Sequence, residues 1–190
     1  AISLGLMPKK RKSSGSKPSA RKKNIVINND LLEPPGSLVF FIPCRPKPKE
    51  RARKGNSNVF FTPNKTLVYE KTIRQIASLK MRGFNPFSCP LEINYKFVFN
   101  PPKTWKKLWK DAAFQGYISH TKVPDKDNLE KAVSDALNGV CFIDDAQIIK
   151  GSCEKIYGEE EGVHLEIKPM NTLASNKLND STFTELQRSF

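Results

Sequence analysis

The sequence has few of the residues from which zinc sites are built. Its 190 residues include four cysteines and two histidines, and no two cysteines form a C-x-x-C pair. This scarcity argues against a zinc cage. Free, partly buried thiols in a reducing compartment are therefore expected at the four positions, which are Cys44, Cys89, Cys141 and Cys153.

Long apolar runs are also missing. No apolar stretch approaches the ~20 residues that a membrane-spanning helix needs, and residues 1–6 are too short and uncharged for a signal peptide. The phosphate-loop motif G-x-x-x-x-G-K-[ST] and the metalloprotease motif H-E-x-x-H do not occur. A mean hydropathy of −0.50 is too polar for the whole chain to be packed. We expect one domain of roughly 130 residues between disordered ends.

Basic residues, by contrast, are abundant. Lysine and arginine number 32 against 19 acids, a net charge of +13, which favours nucleic acid as a partner ahead of an anionic membrane. Residues 1–36 predict a disordered basic arm. Its residues 8–12 have the pattern of a nuclear-import signal, but non-specific DNA binding or plain solubility is the preferred interpretation. Residues 45–54 predict a basic loop, because two prolines interrupt them. We expect this loop to bind the DNA backbone through Arg45, Lys47, Lys49, Arg51, Arg53 and Lys54.

The rest of the chain alternates between strand and helix patterns. Residues 91–99 alternate apolar and polar side chains, which predicts a half-buried strand. Residues 128–138 repeat apolar side chains at helical spacing and end at Gly139. Further strands are predicted at 38–42, 59–62, 147–157 and 163–167, and further helices at 64–82 and 103–114. The pattern predicts an α+β domain over residues 37–170, with a mixed or antiparallel sheet packed against helices, and a disordered tail at 171–190.

Four aspartates bracket the predicted helix at 128–138. Asp125 and Asp127 precede it and, on extended backbone, point to the same side. Asp144 and Asp145 follow it, where a helix–turn–strand return would bring one of them back toward the first pair. Carboxylate oxygens of this kind suit Mg²⁺, which can polarise a scissile phosphate and activate a water molecule.

Lys131 lies one helical turn beyond Asp127, where an ammonium group would stabilise charge developing on a phosphate. The alternative gives these acids only structural roles. Asp127 would then cap the helix, with Glu130 completing a capping box, and the other aspartates would form turns.

A longer motif runs through the same region. An aromatic-basic segment and a His-Thr-Lys lead-in precede the core P-D-x-D-N-x-x-K-A-x-x-D-A-L, and a D-D-x-Q ending follows it. This pattern resembles the RusA family of Holliday junction resolvases, especially its phage members. The basic residues 45–63 resemble the N-terminal loop of the same family more weakly, so the likeness covers roughly residues 38–168.

The resemblance implies that Asp125, Asp127 and Asp145 bind a divalent cation, Mg²⁺ or Mn²⁺, and that Lys131 is the catalytic lysine. Asp144 matches a neighbouring acid of less certain role, and Asp135 is expected to be structural. The resemblance also implies a homodimer that makes paired nicks in four-way DNA junctions, a substrate that two-fold symmetry suits. The basic arm and polar tail depart from the family pattern, which puts simple junction selectivity in doubt.

We therefore predict an endonuclease of branched DNA in the cytoplasm of a bacterial or phage-infected cell, associated with the nucleoid and without a membrane partner. We expect Trp105 or Trp109 either to stack on exposed bases or to pack in the core. The weaker candidates for DNA contacts are Lys103, Lys106, Lys107 and Lys110. Two other classes stay open: a DNA-structure-binding protein without nuclease activity, and a basic interaction protein whose acids serve only as caps and turns.

Overall fold

The computed structural model describes residues 30–50, 53–54, 60–61 and 63–170. Most of the predicted arm and all of the predicted tail lie outside these ranges. Within residues 30–36 of the predicted arm, Leu32 pairs with the domain: its amide donates to the Gly83 carbonyl at 3.0 Å, and the Asn85 amide donates to the Leu32 carbonyl at 2.9 Å. These two hydrogen bonds tie Leu32 to residues 83–85.

The fold is a mixed four-stranded sheet with helices, as the α+β prediction requires. The sheet contains β1 (Leu38–Ile42), β4 (Leu91–Phe99), β5 (Ile148–Tyr157) and β6 (Gly162–Pro169), and a separate small ladder joins β2 (Arg53–Lys54) to β3 (Phe60–Phe61). The helices are α1 (Asn64–Lys80), α2 (Lys107–Phe114) and α3 (Lys126–Leu137).

The strand order β1-β6-β4-β5 places β4 at the centre, antiparallel to β6 and parallel to β5. The predicted strands at 147–157 and 163–167 are confirmed, but they do not pair with each other. The connection at residues 158–161 instead carries the chain past the end of β4. Parallel pairing of β4 and β5 requires a crossover between them, and α2 and α3 lie within that crossover.

One face of the sheet forms the core with α1 and α3. Strand β4 buries every second side chain from Leu91 to Phe97 in this core. The polar side chains of Glu92, Asn94 and Lys96 lie between them on the other face, as predicted for 91–99. The opposite face is polar and carries cross-strand ion pairs at 3.0–3.2 Å, namely Glu92 with Lys150 and Lys96 with Glu154. The sheet therefore has one helix-covered face and one solvated face.

Helix α3 joins this core and ends where the sequence predicted. Its buried residues are Leu129, Ala132, Val133, Ser134, Ala136 and Leu137. Gly139 follows the helix with a φ of +74°, a left-handed conformation that glycine adopts without strain. Arg74 of α1 donates to the Asn138 carbonyl at 3.1 Å, which satisfies a carbonyl group at the helix end. Among the described residues, no helix has the length and apolar character needed to cross a membrane.

Candidate functional site

The first acidic pair lies at the N-terminus of α3. Asp125 occupies the N-cap position on extended backbone, with φ −69° and ψ 146°, and Asp127 lies in the first turn. The prediction that Asp127 is the N-cap, with Glu130 in a capping box, is wrong, because the helix already begins at Lys126. The Asp125 side chain makes no capping hydrogen bond. Both aspartates are exposed, so helix capping does not account for this pair.

The approach to this pair is tied to the sheet. The ammonium group of Lys155, on β5, donates to the carbonyl oxygens of Lys122 and Pro124, both at 2.8 Å. The peptide bond between Val123 and Pro124 is cis. Asp125 therefore follows a segment whose backbone is held by a side chain of the edge strand.

The second acidic pair lies in the turn that leads into β5. Asp144 caps a one-turn 3-10 helix, Asp145–Gln147: its Oδ1 accepts from the Ala146 amide at 2.9 Å, and its own amide donates to Oε1 of Gln147 at 2.9 Å. Nε2 of Gln147 donates to the carbonyls of Phe87 and Cys89 at 3.1 and 2.8 Å. The D-D-x-Q ending is thus a capping box, a signal that the sequence interpretation missed.

The capping box separates the roles of the two neighbouring acids. Asp144 uses its carboxylate to hold the turn, whereas the side chain of Asp145 is exposed and has no hydrogen bond or ion pair within the described part of the chain. The same holds for the side chains of Asp125 and Asp127. The three carboxylates assigned to the metal by resemblance are therefore free of protein partners among the residues described.

The buried side chain of Tyr95 contacts α3 and also experiences the charge of Asp145, a member of the second acidic pair. Its hydroxyl group lies 2.8 Å from Oγ of Ser134, in the middle of α3. Burial raises the pKa of Tyr95, and the negative charges of Glu130 and Asp145 raise it further, against the hydrogen bond to Ser134. Asp145 therefore acts electrostatically on the same buried hydroxyl as Glu130, which lies one turn beyond Asp127. Nevertheless, no three His, Cys, Asp or Glu side chains within the described ranges are grouped closely enough to hold a metal ion.

Lys131 projects from the exposed side of α3. Its side chain is 62% exposed, and its ammonium group is 3.9 Å from Oδ1 of Asp135, one turn along the helix. A pair of this exposure and length contributes little to stability. The ammonium group therefore stays available for another anion.

The basic loop divides into structural and open cations. Lys49 lies 3.0 Å from Oδ2 of Asp135 and also pairs with Glu70 of α1. Burial lowers the pKa of Lys49, but hydrogen bonds to these two carboxylates outweigh it and raise the pKa overall. The Lys49 amide also donates to the Asn128 carbonyl at 2.8 Å. The ammonium group of Lys49 therefore joins the loop to α1 and α3, and its predicted DNA contact stays a prediction.

Other members of the loop point outward. Arg45 is 71% exposed and lies 3.7 Å from Glu161, and Lys47 is exposed without an ion pair among the residues described. The side chains of Arg51, Arg53 and Lys54 lie outside the described residues, so their predicted DNA contacts stay predictions.

An open cleft of about 730 Å³ lies beside the loop. Prolines and aromatic rings line it together with four cations and one acid, which are Arg45, Lys47, Lys103, Lys122 and Glu161. His120 lies in this cleft between two rings, 4.2 Å from Phe99 and 4.9 Å from Tyr157 by ring centroids. Burial lowers the pKa of His120, and the positive charges of Lys155 and Lys122 lower it further. The imidazole is therefore neutral at neutral pH.

The predicted aromatic-basic helix at 103–114 is shorter than expected and divides its tryptophans. It begins at Lys107, and the preceding residues form a turn in which the Trp105 amide donates to the Pro102 carbonyl at 3.0 Å. Trp105 packs against Tyr157, with ring centroids 5.4 Å apart. Trp109, by contrast, is 58% exposed. Trp105 thus precedes the helix and packs against the core, whereas Trp109 lies on the helix and is exposed.

The α+β core thus carries a cleft lined by four cations, which suits a polyanion such as nucleic acid, and open carboxylates at the start of a helix. Comparison with known proteins gives the family. Residues 43–168 match the family model described as Endodeoxyribonuclease RusA. The chain therefore belongs to the RusA family, which makes it an endodeoxyribonuclease by family and implies Holliday junction resolvase activity on DNA.

A relative from Bacillus subtilis (strain 168), the uncharacterized protein YqaN, is 28% identical over 127 residues. The aligned region spans 66% of this chain and 88% of YqaN. The likeness therefore covers nearly all of the relative.

Proposed function

We propose that this protein is a divalent-metal-dependent endonuclease that resolves four-way or branched DNA junctions by paired phosphodiester hydrolysis. One observation supports the proposal most directly. In a chain of the RusA family, the carboxylates of Asp125, Asp127 and Asp145 make no hydrogen bond or ion pair with described residues. Exposed acids left unpaired in so basic a chain are available to a cation.

Asp125, Asp127 and Asp145 would hold the cation, which is Mg²⁺ or Mn²⁺ in this proposal. The chemistry of the donors fits, because such hard cations take carboxylate oxygens and keep positions for water and phosphate. When bound, the cation would polarise the scissile phosphate and lower the pKa of an attacking water. Since three carboxylates near one another repel, the proposal requires the group to assemble when the cation and the DNA bind.

Lys131 would act at the phosphate. Its ammonium group is 62% exposed and only weakly paired with Asp135, and it lies on the same helix as Asp125 and Asp127. A cation held beside the reacting phosphate stabilises the charge that develops there. We therefore assign to Lys131 the role of assisting the leaving oxygen.

Backbone phosphates would lie along the cleft next to this helix. Arg45, Lys47, Lys103 and Lys122 line it, and Lys122 is three residues before Asp125. Such contacts provide affinity without sequence preference and depend strongly on salt. In this proposal the cleft directs the backbone toward Asp125, which follows the lining residue Pro124.

The working unit in this proposal is a homodimer, because resolution of a junction needs two strands of like polarity to be cut. Two copies related by a two-fold axis would present one acidic cluster to each strand. We place the enzyme in the cytoplasm of a bacterial or phage-infected cell, at the nucleoid, where branched DNA is formed.

The first test is Asp127→Asn in a nicking assay on a synthetic four-way junction with Mg²⁺. We expect cleavage to fall by about 100-fold or more, as for a lost metal contact, with junction binding retained. Asp144→Asn is the matched control, since asparagine is an equally good cap. Full cleavage by Asp127→Asn would refute the assignment, and equal loss in both variants would point to the fold.

The second candidate is a DNA-structure-binding protein without nuclease activity. It is favoured by the finding that no three metal-ligating side chains are grouped within the described ranges. This candidate predicts junction binding that weakens steeply with salt and no metal-dependent product from the wild-type protein. The nicking assay therefore separates the two candidates directly.

A further inference from the structure

The start of α2 exposes an aromatic and aliphatic surface that the core does not use. Leu108 is 77% and Trp109 is 58% exposed, whereas Ala113 is the buried residue of this helix. A groove of about 380 Å³ lies here, lined by Thr104, Trp105, Lys106 and Trp109. Adjoining exposed apolar side chains on a soluble domain commonly mark a binding site.

Cations surround this surface. Lys106 and Lys107 precede Leu108 in the sequence and are exposed, and Lys110 follows Trp109. The Lys110 ammonium group donates to the Lys103 carbonyl at 3.4 Å. Asp111 is the acid within α2. An indole ring among ammonium groups suits a ligand that combines a flat ring with negative charge, as a nucleotide unit does.

A continuous set of ring contacts links Trp109 to the cleft beside Asp125. The centroids of Trp109 and Trp105 are 6.4 Å apart, those of Trp105 and Tyr157 are 5.4 Å apart, and those of Tyr157 and His120 are 4.9 Å apart. His120 and Tyr157 line the cleft together with Pro124, which precedes Asp125. Trp109 is therefore connected, through Trp105, to Tyr157 in the wall of the cleft.

We propose that Trp109 is a stacking platform for an unpaired or unstacked base at the DNA branch, with Lys106, Lys107 and Lys110 binding the flanking phosphates. This inference rests on the proposed function and names the part of the substrate that α2 recognises. A branch point exposes base faces that a continuous duplex keeps stacked. Trp109 therefore distinguishes branched from fully paired DNA, a selectivity that the cations alone do not provide.

A second copy of the chain is the competing occupant of this surface. A two-fold interface centred on α2 would place its lysines against the same lysines of the partner, and like charges at an interface oppose association. The charge of the surface therefore favours DNA.

The test uses the fact that the chain contains only two tryptophans. Trp105→Phe leaves Trp109 as the single indole reporter, and its fluorescence is measured on titration with a four-way junction, in EDTA. We expect strong quenching by the junction and weak quenching by a duplex of the same sequence. Because Trp105 packs on Tyr157, the comparison is repeated in wild type against Trp109→Ala, where loss of quenching isolates Trp109.

Affinity gives a second readout. Trp109→Ala should weaken junction binding about tenfold, the order expected for one lost base stack, and should change duplex binding less than about twofold. Trp109→Phe should recover most of the affinity. Tyr117→Ala is the matched control, since Tyr117 is an 81% exposed aromatic residue beyond the lysine group, and it should bind normally.

Three outcomes would overturn the stacking proposal: unchanged junction affinity in Trp109→Ala, an equal loss for junction and duplex, or conversion of a dimer to a monomer in sedimentation. Binding is measured without divalent metal, so failure of the nuclease proposal is seen separately. If the wild-type protein binds junctions through Trp109 but never cleaves them, the nuclease proposal is refuted and the stacking role of Trp109 stands. Cleaving wild type with normal binding in Trp109→Ala would refute the platform alone.

Discussion

Helix α3 carries two groups of charged side chains that differ in one respect. On the side facing the basic loop, Asp135 pairs with Lys49, which also pairs with Glu70. At the N-terminus, Asp125 and Asp127 make no hydrogen bond or ion pair with described residues. Paired charges hold elements of the fold together, whereas unpaired charges at a helix end remain open to a ligand. Within α3, pairing therefore separates an acid that holds the fold together from acids that remain open to a ligand.

The largest expected effect is a loss of catalysis, and its absence would contradict the contrast between the paired and the unpaired acids of α3. Asp125→Asn should reduce Mg²⁺-dependent junction cleavage by about 100-fold or more, because a cation ligand is lost, with little change in the free energy of unfolding. Asp135→Asn should do the reverse: cleavage at high enzyme concentration stays within a few-fold, and stability falls. Cleavage rates and urea denaturation of both variants provide the measurement. Similar behaviour of the two variants would remove the distinction between the two groups.

A second expected effect concerns the two lysines of the loop. Lys49→Met should lower the free energy of unfolding by about 1–3 kcal/mol, because Glu70 and Asp135 lose a charged hydrogen-bond donor. Lys47→Met should leave stability within about 0.5 kcal/mol but weaken DNA binding and reduce the salt slope by about 1. Urea denaturation and DNA titration at several salt concentrations test both. If Lys49→Met were stable and lost more DNA affinity than Lys47→Met, the result would favour the predicted DNA contact at Lys49 over its role in the fold.

The smallest expected effect is a pH dependence from His120. Its pKa in the folded protein is below the ordinary 6.5, so the unfolded chain takes up the proton first. The stability this contributes is complete above pH 6.5 and is lost as the pH falls through the folded pKa. Thermal unfolding of wild type and His120→Phe should diverge below pH 6.5 and run parallel above it. Parallel curves over the whole range would show that His120 titrates alike in both states.

The periodic elements were predictable, because local patterns determine them. The alternation in 91–99 and the helical spacing in 128–138 correspond to β4 and α3, and Gly139 ends the helix as expected. The N-cap was misplaced by two residues, since Asp125 and Asp127 are equally good capping candidates by type. The D-x-x-Q spacing from Asp144 to Gln147 is a local capping signal that distinguishes Asp144 from its neighbour Asp145, and the sequence interpretation missed it.

The sequence by itself determined the strand and helix segments, the basic character and the motif that identifies the family, because these depend on neighbours along the chain. Only the tertiary structure decided that β5 and β6 both flank β4, that Lys49 lies between two carboxylates, and that Trp105 packs while Trp109 is exposed. These facts depend on residues far apart in the chain. Burial and pairing are properties of the packed whole, so residue type cannot specify them.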